Sequence, residues 1–150
     1  MDLSFGTNVR EHGYRIGRCA GIEADRRTHA VRNIVVSADG SIGSNAERRP
    51  LAAVPADHFG GDIVLHGFSA PAEAPAPAHM LMLTDSTRVM RRGRQIGRLS
   101  GIELSPETGA IVAIVGRQHW WNRRFHLPAA GLDFSVAGEI RVGAAASQAA

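Results

Sequence analysis

One stretch of this sequence occurs twice, and that repeat limits the folds open to the chain more than any other feature. Residues 13–35 read GYRIGRCAGIEADRRTHAVRNIV, and residues 93–115 read GRQIGRLSGIELSPETGAIVAIV. Aligned without a gap, 80 residues apart, they are identical at 11 of 23 positions. A repeat of this length in a chain of 150 residues indicates two copies of one small folding unit.

The similarity extends past that stretch. LAAVPADHF (51–59) corresponds to RFHLPAAGL (124–132) when Pro55 is aligned with Pro128. Between the copies, prolines alternate with alanines in a segment typical of a stiff, extended linker. The sequence therefore predicts four parts: a first unit over residues 1–67, a linker over 68–85, a second unit over 86–143 and a flexible tail over 144–150.

Each unit has the pattern of short β-strands. Strict alternation along residues 15–25 places Cys19 and Ile22 on opposite faces of one strand, and the β-branched runs 30–36 and 110–116 follow as further strands. No segment keeps an apolar period of 3.6 residues long enough for a helix. A unit of this size is marginal alone, because it buries only about 60% of its unfolded surface. We therefore expect an all-β protein of two small β-barrels in tandem, packed as a pseudo-twofold pair.

Charge and cysteine content limit the function only loosely. The net charge is +3, and all 17 basic residues are arginine, which permits an anionic partner without requiring one. The single cysteine, Cys19, excludes an intrachain disulfide and favours a reducing compartment. The sequence shows neither a signal peptide nor a run of apolar residues long enough for a membrane span. We expect a soluble cytoplasmic protein.

The order of motifs resembles a known family. Each copy begins with a strand that contains regularly placed glycines, in the pattern G-x-x-[IV]-G-x-[LIV]-x-G-[IV]. A turn, a β-branched strand and a turn with a hydrophobic residue before proline follow. Each copy ends with a strand of the pattern G-[DE]-x-[IV]. This pattern resembles the PRC-barrel domain, and the second copy is the nearer match, since ADRRTHA (24–30) replaces the usual Thr-Gly turn in the first. The resemblance covers about 120 of the 150 residues.

The resemblance implies a β-barrel without enzymatic activity or cofactor that acts as an adaptor for another protein. One family member lies at the cytoplasmic face of the photosynthetic reaction centre, and another is the barrel domain of a ribosome maturation factor. The resemblance therefore leaves two alternatives open, an RNA- or ribosome-associated protein and a subunit or assembly factor of a membrane complex. Further dimerisation also stays open.

The clearest candidate for a binding surface is GRQHWWNRR, residues 116–124. Both tryptophans of the chain lie there among arginines, and the matching part of the first copy has no aromatic residue. Trp and Arg dominate binding hot spots. We interpret five residues as a candidate protein-binding set: Arg117, Trp120, Trp121, Arg123 and Arg124. The alternative is that one or both tryptophans are buried between the barrels.

A second basic cluster is RVMRRGR, residues 88–94. Arginines near one another suit phosphate groups, so a candidate anion-binding set comprises Arg88, Arg91, Arg92 and Arg94. The alternative is that these arginines lie in solvent at the rim of the barrel and bind nothing.

No motif predicts catalysis or a metal. The chain lacks a nucleophile elbow, a phosphate-binding P-loop and a dinucleotide-binding fingerprint, and its histidines lack a familiar metal-ligand spacing. We expect no enzyme, no cofactor and no metal site. The repeated Arg18 and Arg98 are interpreted as structural, and the repeated Glu23 and Glu103 as acceptors of hydrogen bonds across the pseudo-twofold.

Overall fold

The chain folds into β-strands, as its β-branched runs predict. A computed structural model describes residues 2–43, 45–51, 61–65, 79–118 and 123–143. These residues contain no α-helix and form thirteen strands: β1 Asp2–Ser4, β2 Asn8–Glu11, β3 Tyr14–Asp25, β4 Val31–Ser37, β5 Glu47–Pro50, β6 Ile63–Leu65, β7 Met80–Thr84, β8 Arg88–Arg91, β9 Arg94–Leu104, β10 Ile111–Arg117, β11 Arg124–Pro128, β12 Leu132–Asp133 and β13 Glu139–Val142. The prediction of an all-β protein is confirmed.

Each repeat forms most of one mixed sheet. The strand order is β5-β4-β3-β2-β6 in the first sheet and β11-β10-β9-β8-β13-β12 in the second. Both contain an antiparallel meander of four strands, and in both the first strand of the meander has a parallel neighbour, β6 beside β2 and β13 beside β8. The repeat in sequence is therefore also a repeat of strand pairing.

The sequence predicts two closed barrels, but the described strands form two open sheets. No described pairing joins β5 to β6 or β11 to β12, the strands at the ends of the two orders. A physical reason lies in the long strands β3 and β9. Each of these strands pairs with a strand from the other half of the chain, and the two sheets bury their apolar faces in one shared core, so neither sheet has to close on itself to cover its apolar residues.

The two halves exchange strands. β1 precedes the first repeat but pairs with β9 of the second, with Leu3 opposite Ile102. β7 precedes the second repeat but pairs with β3 of the first, with Leu83 opposite Ile22. The two pairings are related by the same offset of 80 residues, so the exchange is reciprocal. β7 also lies within the range 68–85 that the sequence analysis assigns to the linker.

A third contact joins the halves directly. Ala30 and Ala110, which are equivalent in the repeat, form an isolated antiparallel bridge. The amide of Val31 donates to the carbonyl of Gly109 at 2.9 Å, and the amide of Ile111 donates to the carbonyl of His29 at 3.0 Å. Each half therefore donates one of these hydrogen bonds and accepts the other, just as each half gives one strand to the other.

The two sheets bury one hydrophobic core. A continuous cluster of buried side chains includes residues of β1, β3 and β4 together with residues of β7, β9 and β10. The exchanged strands contribute Leu3 and Leu83, which are 1% exposed. Neither half therefore buries its apolar surface without the other.

A β-bulge changes the predicted faces of the long strand. Cys19 and Gly21 pair with consecutive residues of β4, so Ala20 is an extra residue in β3. A bulge reverses the alternation of the side chains that follow it. Cys19 and Ile22 therefore both lie in the core, each 0% exposed, although strict alternation predicts opposite faces. The same irregularity recurs in β9.

The fourth strand of each meander, β5 or β11, corrects the alignment of the repeat. Asn33 pairs with Pro50, and Ala113 pairs with Pro128. Because Asn33 and Ala113 are equivalent, the counterpart of Pro128 is Pro50 rather than Pro55, which lies outside the described residues. The polar sequence ERRP of β5 gives no strand signal, and this is why the sequence alignment passes over it.

Candidate functional site

The predicted protein-binding segment joins β10 to β11. We call residues 117–124 the hairpin tip. Arg117 ends β10 and Arg124 begins β11, and the amide of Gln118 donates to the carbonyl of Arg123 at 2.8 Å. All three arginines are exposed. Trp120 and Trp121 lie outside the described residues, so their burial stays a prediction.

The strand register aligns the two ends of the hairpin tip with two further arginines. Arg124 lies opposite Arg117, Arg117 lies opposite Arg98, and Arg98 lies opposite Arg88. Four arginines therefore stand in one row across β11, β10, β9 and β8, and we call this the arginine row. Directly opposed residues share a face of the sheet, and neighbouring strands are about 4.8 Å apart. Like charges placed in this way repel one another.

Only one end of the arginine row is neutralised within the described residues. Arg88 donates to Glu139 of the parallel neighbour β13, with 2.6 Å between Nη2 and Oε1. No described residue forms an ion pair with the side chain of Arg98, Arg117 or Arg124. Three exposed guanidinium groups thus face the same region without an ion pair to any described residue.

The corresponding row of the first half is much less basic. Its members are Asn8, Arg18 and Ser37, which are paired in the same register. Only Arg18 is charged. The concentration of positive charge is therefore a property of the second half and not of the repeated fold.

The arginine row borders a cavity that has a volume of about 470 Å³. Arg98, Arg117 and Arg124 all line this hollow, which we call the arginine cavity. Ser4 and Phe5, at the end of the exchanged strand β1, line it as well. The two halves of the chain therefore build the cavity together.

Two further polar residues line the arginine cavity. Asp85, in the turn after β7, is exposed and contributes one negative charge. The Oγ of Ser100 donates to the carbonyl of Val115 at 3.2 Å, so its proton is already used. The local sum of three arginines and one aspartate leaves the cavity positive.

The sequence analysis assigns Arg98 to structure and gives Ser4, Phe5 and Asp85 no role. The structure brings all four to the arginine cavity. Arg98 and Arg117 lie the same number of residues from the turn between β9 and β10, because the two bulges shift the register in opposite directions and cancel. The exchange of β1 has no local signal in the sequence.

The predicted anion-binding set divides into two places. Arg91 and Arg94 face each other across a two-residue turn, and Arg92 occupies that turn with a positive φ of 52°. Arg88 lies at the opposite end of β8, paired with Glu139. The four residues therefore do not converge on one point.

The repeated glutamates bind within their own sheets instead of across the pair of halves. The carboxylate of Glu23 is fully buried and accepts hydrogen bonds from Arg48 at 2.8 Å and Asn33 at 3.2 Å. Glu103 lies 2.8 Å from the Nε2 of His126, and both side chains are partly exposed. The expectation of contacts across the pseudo-twofold is not met by these hydrogen bonds.

The single cysteine has no reactive surroundings. Burial raises the pKa of the Cys19 thiol to about 12. The thiol donates a hydrogen bond to the carbonyl of Gly21, with 3.5 Å between Sγ and the oxygen. Neutral buried thiols are poor nucleophiles and poor metal ligands.

The described residues provide neither a metal site nor a membrane-spanning helix. Among them, no group of three or more His, Cys, Asp or Glu side chains is placed to hold a metal ion. The described part of the chain also contains no helix with the length and apolar character needed to cross a membrane.

No model of a protein family matches the chain, and no curated protein matches it. The interpretation of function therefore depends on the residues and on the geometry described above.

Proposed function

We propose that the protein is a non-enzymatic, PRC-barrel-like adaptor that binds another protein through the hairpin tip. The observation that supports this most is the exposure of Arg117, Arg123 and Arg124 without an ion pair to any described residue. Arginine side chains with free donors are strong interface residues, and Trp120 and Trp121 add the other residue type that dominates hot spots.

The difference between the two halves supports the same proposal. The loop between β4 and β5 corresponds to the hairpin tip, and its sequence ADGSIGSNA contains neither arginine nor tryptophan. The fold therefore does not require these residues at that place. Residues that a repeated fold does not need, present in one copy only, are candidates for an added function.

The experiment is an affinity purification of the tagged protein from its native cells, followed by mass spectrometry. It is run with and without nuclease at about 50 mM and about 300 mM salt, because screening lengths differ strongly between those concentrations. An adaptor is expected to retain one protein at the higher salt and after nuclease treatment.

Variants of the hairpin tip test its part in that interaction. Trp120→Ala combined with Trp121→Ala, and separately Arg123→Ala, are expected to lose the partner while the protein stays folded. The matched control is Ile42→Ala in the corresponding loop of the first half, where Ile42 is 47% exposed. If both tip variants are folded and keep every partner, the proposal is wrong.

The same purification separates the alternatives. Binding to RNA or to ribosomes neutralises phosphates and releases counterions, so it weakens steeply as salt rises. Loss of the captured material with salt or nuclease would replace the adaptor proposal with an RNA- or ribosome-associated function. Recovery of membrane-complex subunits would instead identify the partner as a complex of the kind to which the reaction-centre member of the family belongs.

A further inference from the structure

We propose that the arginine cavity binds the phosphate group of a small phosphate monoester whose organic part carries hydroxyl groups. The proposal goes beyond partner binding at the hairpin tip and does not depend on it. It concerns Arg98, Arg117 and Arg124, which the strand register brings into one cavity wall.

The charge of the cavity selects a dianion. Three guanidinium groups and the carboxylate of Asp85 give it a formal net charge of about +2. A phosphate monoester carries about −1.5 to −2 at that pH, whereas a single carboxylate carries about −1. A phosphate therefore neutralises the wall more completely than a carboxylate does.

The geometry of arginine favours the same ligand. Each guanidinium presents a planar fork of donors that pairs with two oxygens of a phosphate. The donors of all three arginines are free of acceptors among the described residues. Three forks on adjacent strands match the several acceptor oxygens of one phosphate better than the two oxygens of a carboxylate.

The remaining wall indicates what the phosphate is attached to. A volume of about 470 Å³ lies within the range of small-molecule sites, about 300–1,000 Å³, and leaves room beside the phosphate. The carboxylate of Asp85 is an acceptor for hydroxyl protons, and Phe5 offers an apolar contact. A hydroxyl-bearing body, such as that of a sugar phosphate, fits these two features together.

Electrostatic repulsion within the arginine row also favours a bound anion. Opposed like charges destabilise a sheet, and the first half of the chain lacks them at Asn8 and Ser37, the counterparts of Arg88 and Arg117. A bound anion removes that repulsion. Charges that lower the stability of the free protein and are relieved by a ligand are typical of binding sites.

The test is isothermal titration calorimetry of the whole protein in a buffer without phosphate. The probes are inorganic phosphate, ribose 5-phosphate, ribose and acetate. We expect inorganic phosphate to bind and ribose 5-phosphate to bind more tightly, with no heat from ribose or acetate at the same concentrations. Binding of acetate as tight as that of phosphate would overturn the proposal. The proposal would also be wrong if neither phosphate probe bound at a concentration of about 10 mM, because a dissociation constant above that value is too weak to indicate a site.

Variants at Arg98 locate the site. Arg98→Ala is expected to weaken phosphate binding at least about tenfold, as for loss of a charge-assisted hydrogen bond. Arg98→Lys keeps the charge but loses the fork, so it is also expected to weaken binding. The matched control is Arg18→Ala, the equivalent position in the first half, which should leave binding unchanged. An equal loss in Arg18→Ala would contradict the assignment to this cavity.

Two more measurements keep the result interpretable. Without ligand, Arg98→Ala should have a Tm equal to or above that of the unsubstituted protein, because it removes repulsion, so weaker binding cannot be attributed to unfolding. Asp85→Asn should weaken ribose 5-phosphate relative to inorganic phosphate. If the two probes respond equally, the role of Asp85 is wrong.

The outcome is separable from that of the adaptor proposal. Arg123 belongs to the hairpin tip but does not line the cavity. Arg123→Ala should therefore lose the protein partner and keep phosphate, while Arg98→Ala should do the reverse. Failure of one result leaves the other proposal standing.

Discussion

Two of the repeated glycines lie where the backbones of the two halves come closest. A Cβ added at Gly21 would lie 2.6 Å from the carbonyl oxygen of Leu83, and one at Gly101 would lie 2.7 Å from that of Leu3. Real Cβ atoms do not approach backbone so closely. These positions therefore require glycine because exchanged strands pass over them.

Gly101→Ala is expected to lower the free energy of unfolding by roughly 1–3 kcal/mol, the usual cost of forcing a close contact apart. The control is Gly43→Ala, because a Cβ there meets no atom within 4 Å. Urea denaturation of both variants measures the difference. Equal stabilities would show that the exchanged strand is not held as closely as the structure indicates.

Cys19 provides a second prediction for a single residue. Its thiol is fully buried, and burial raises its pKa to about 12. At about pH 8 the folded protein should therefore react with a thiol reagent only as fast as it unfolds. Stopped-flow labelling with and without denaturant checks this, and rapid labelling of the native protein would contradict the burial.

At the scale of strands, the repeated glutamate of each long strand binds a side chain of the fourth strand of its meander, but in different surroundings. Glu23 is 0% exposed and depends on Arg48 and Asn33, whereas Glu103 and His126 meet in solvent. The same position in the repeat therefore contributes differently to the free energy of unfolding in each half.

Arg48→Ala leaves the charge of Glu23 buried without its ion partner, so we expect a loss of about 3 kcal/mol in the free energy of unfolding. This is the lower end of the usual range, because the Arg48 side chain is one third exposed. His126→Ala removes the equivalent exposed pair and should cost less than about 1 kcal/mol. Thermal unfolding of the two variants is the comparison, and similar losses would show that burial does not distinguish the pairs.

The strands themselves were largely predictable from the sequence. The repeat and the β-branched runs indicate β3, β4, β9 and β10, because these patterns are local. The bulge at Ala20 was not predictable, since it depends on how two strands pair. β5 was not predictable either. Its polar residues have little preference for a strand and form one because they pair with the edge of β4.

The same reasoning explains what could be predicted of the candidate site. Arg117 and Arg124 were identified by composition, because they flank the tryptophans in the sequence. Arg98 joins them only through register, and Ser4 joins only through the exchange of β1. Contacts between distant residues have no local pattern that a single sequence could reveal.

At the scale of the whole molecule, the exchange joins both halves into one cooperative structure. Leu3 belongs to the first half by sequence, yet its backbone pairs with the second half and its side chain lies in the shared core. Loss of contacts at one strand is therefore expected to weaken both sheets.

Leu3→Ala should lower the free energy of unfolding by about 2–5 kcal/mol, as for other buried leucines. Hydrogen exchange should show the loss of protection in β3 and β4 as well as in β9 and β10. Asp2→Ala, at an exposed position of the same strand, is the control and should have little effect. Loss of protection confined to β9 and β10 would mean that the halves unfold separately.

The position of β1 also has a consequence for synthesis on the ribosome. Ile102, the partner of Leu3, is translated about 100 residues later, a delay of roughly 5–20 s at 5–20 residues per second. During that interval β1 has no edge of β9 to join, while β2, β3 and β4 can already pair with one another. β1 is thus made before its partner strand and is among the last strands to dock, so a carrier protein that tethers β1 would delay the final step of folding.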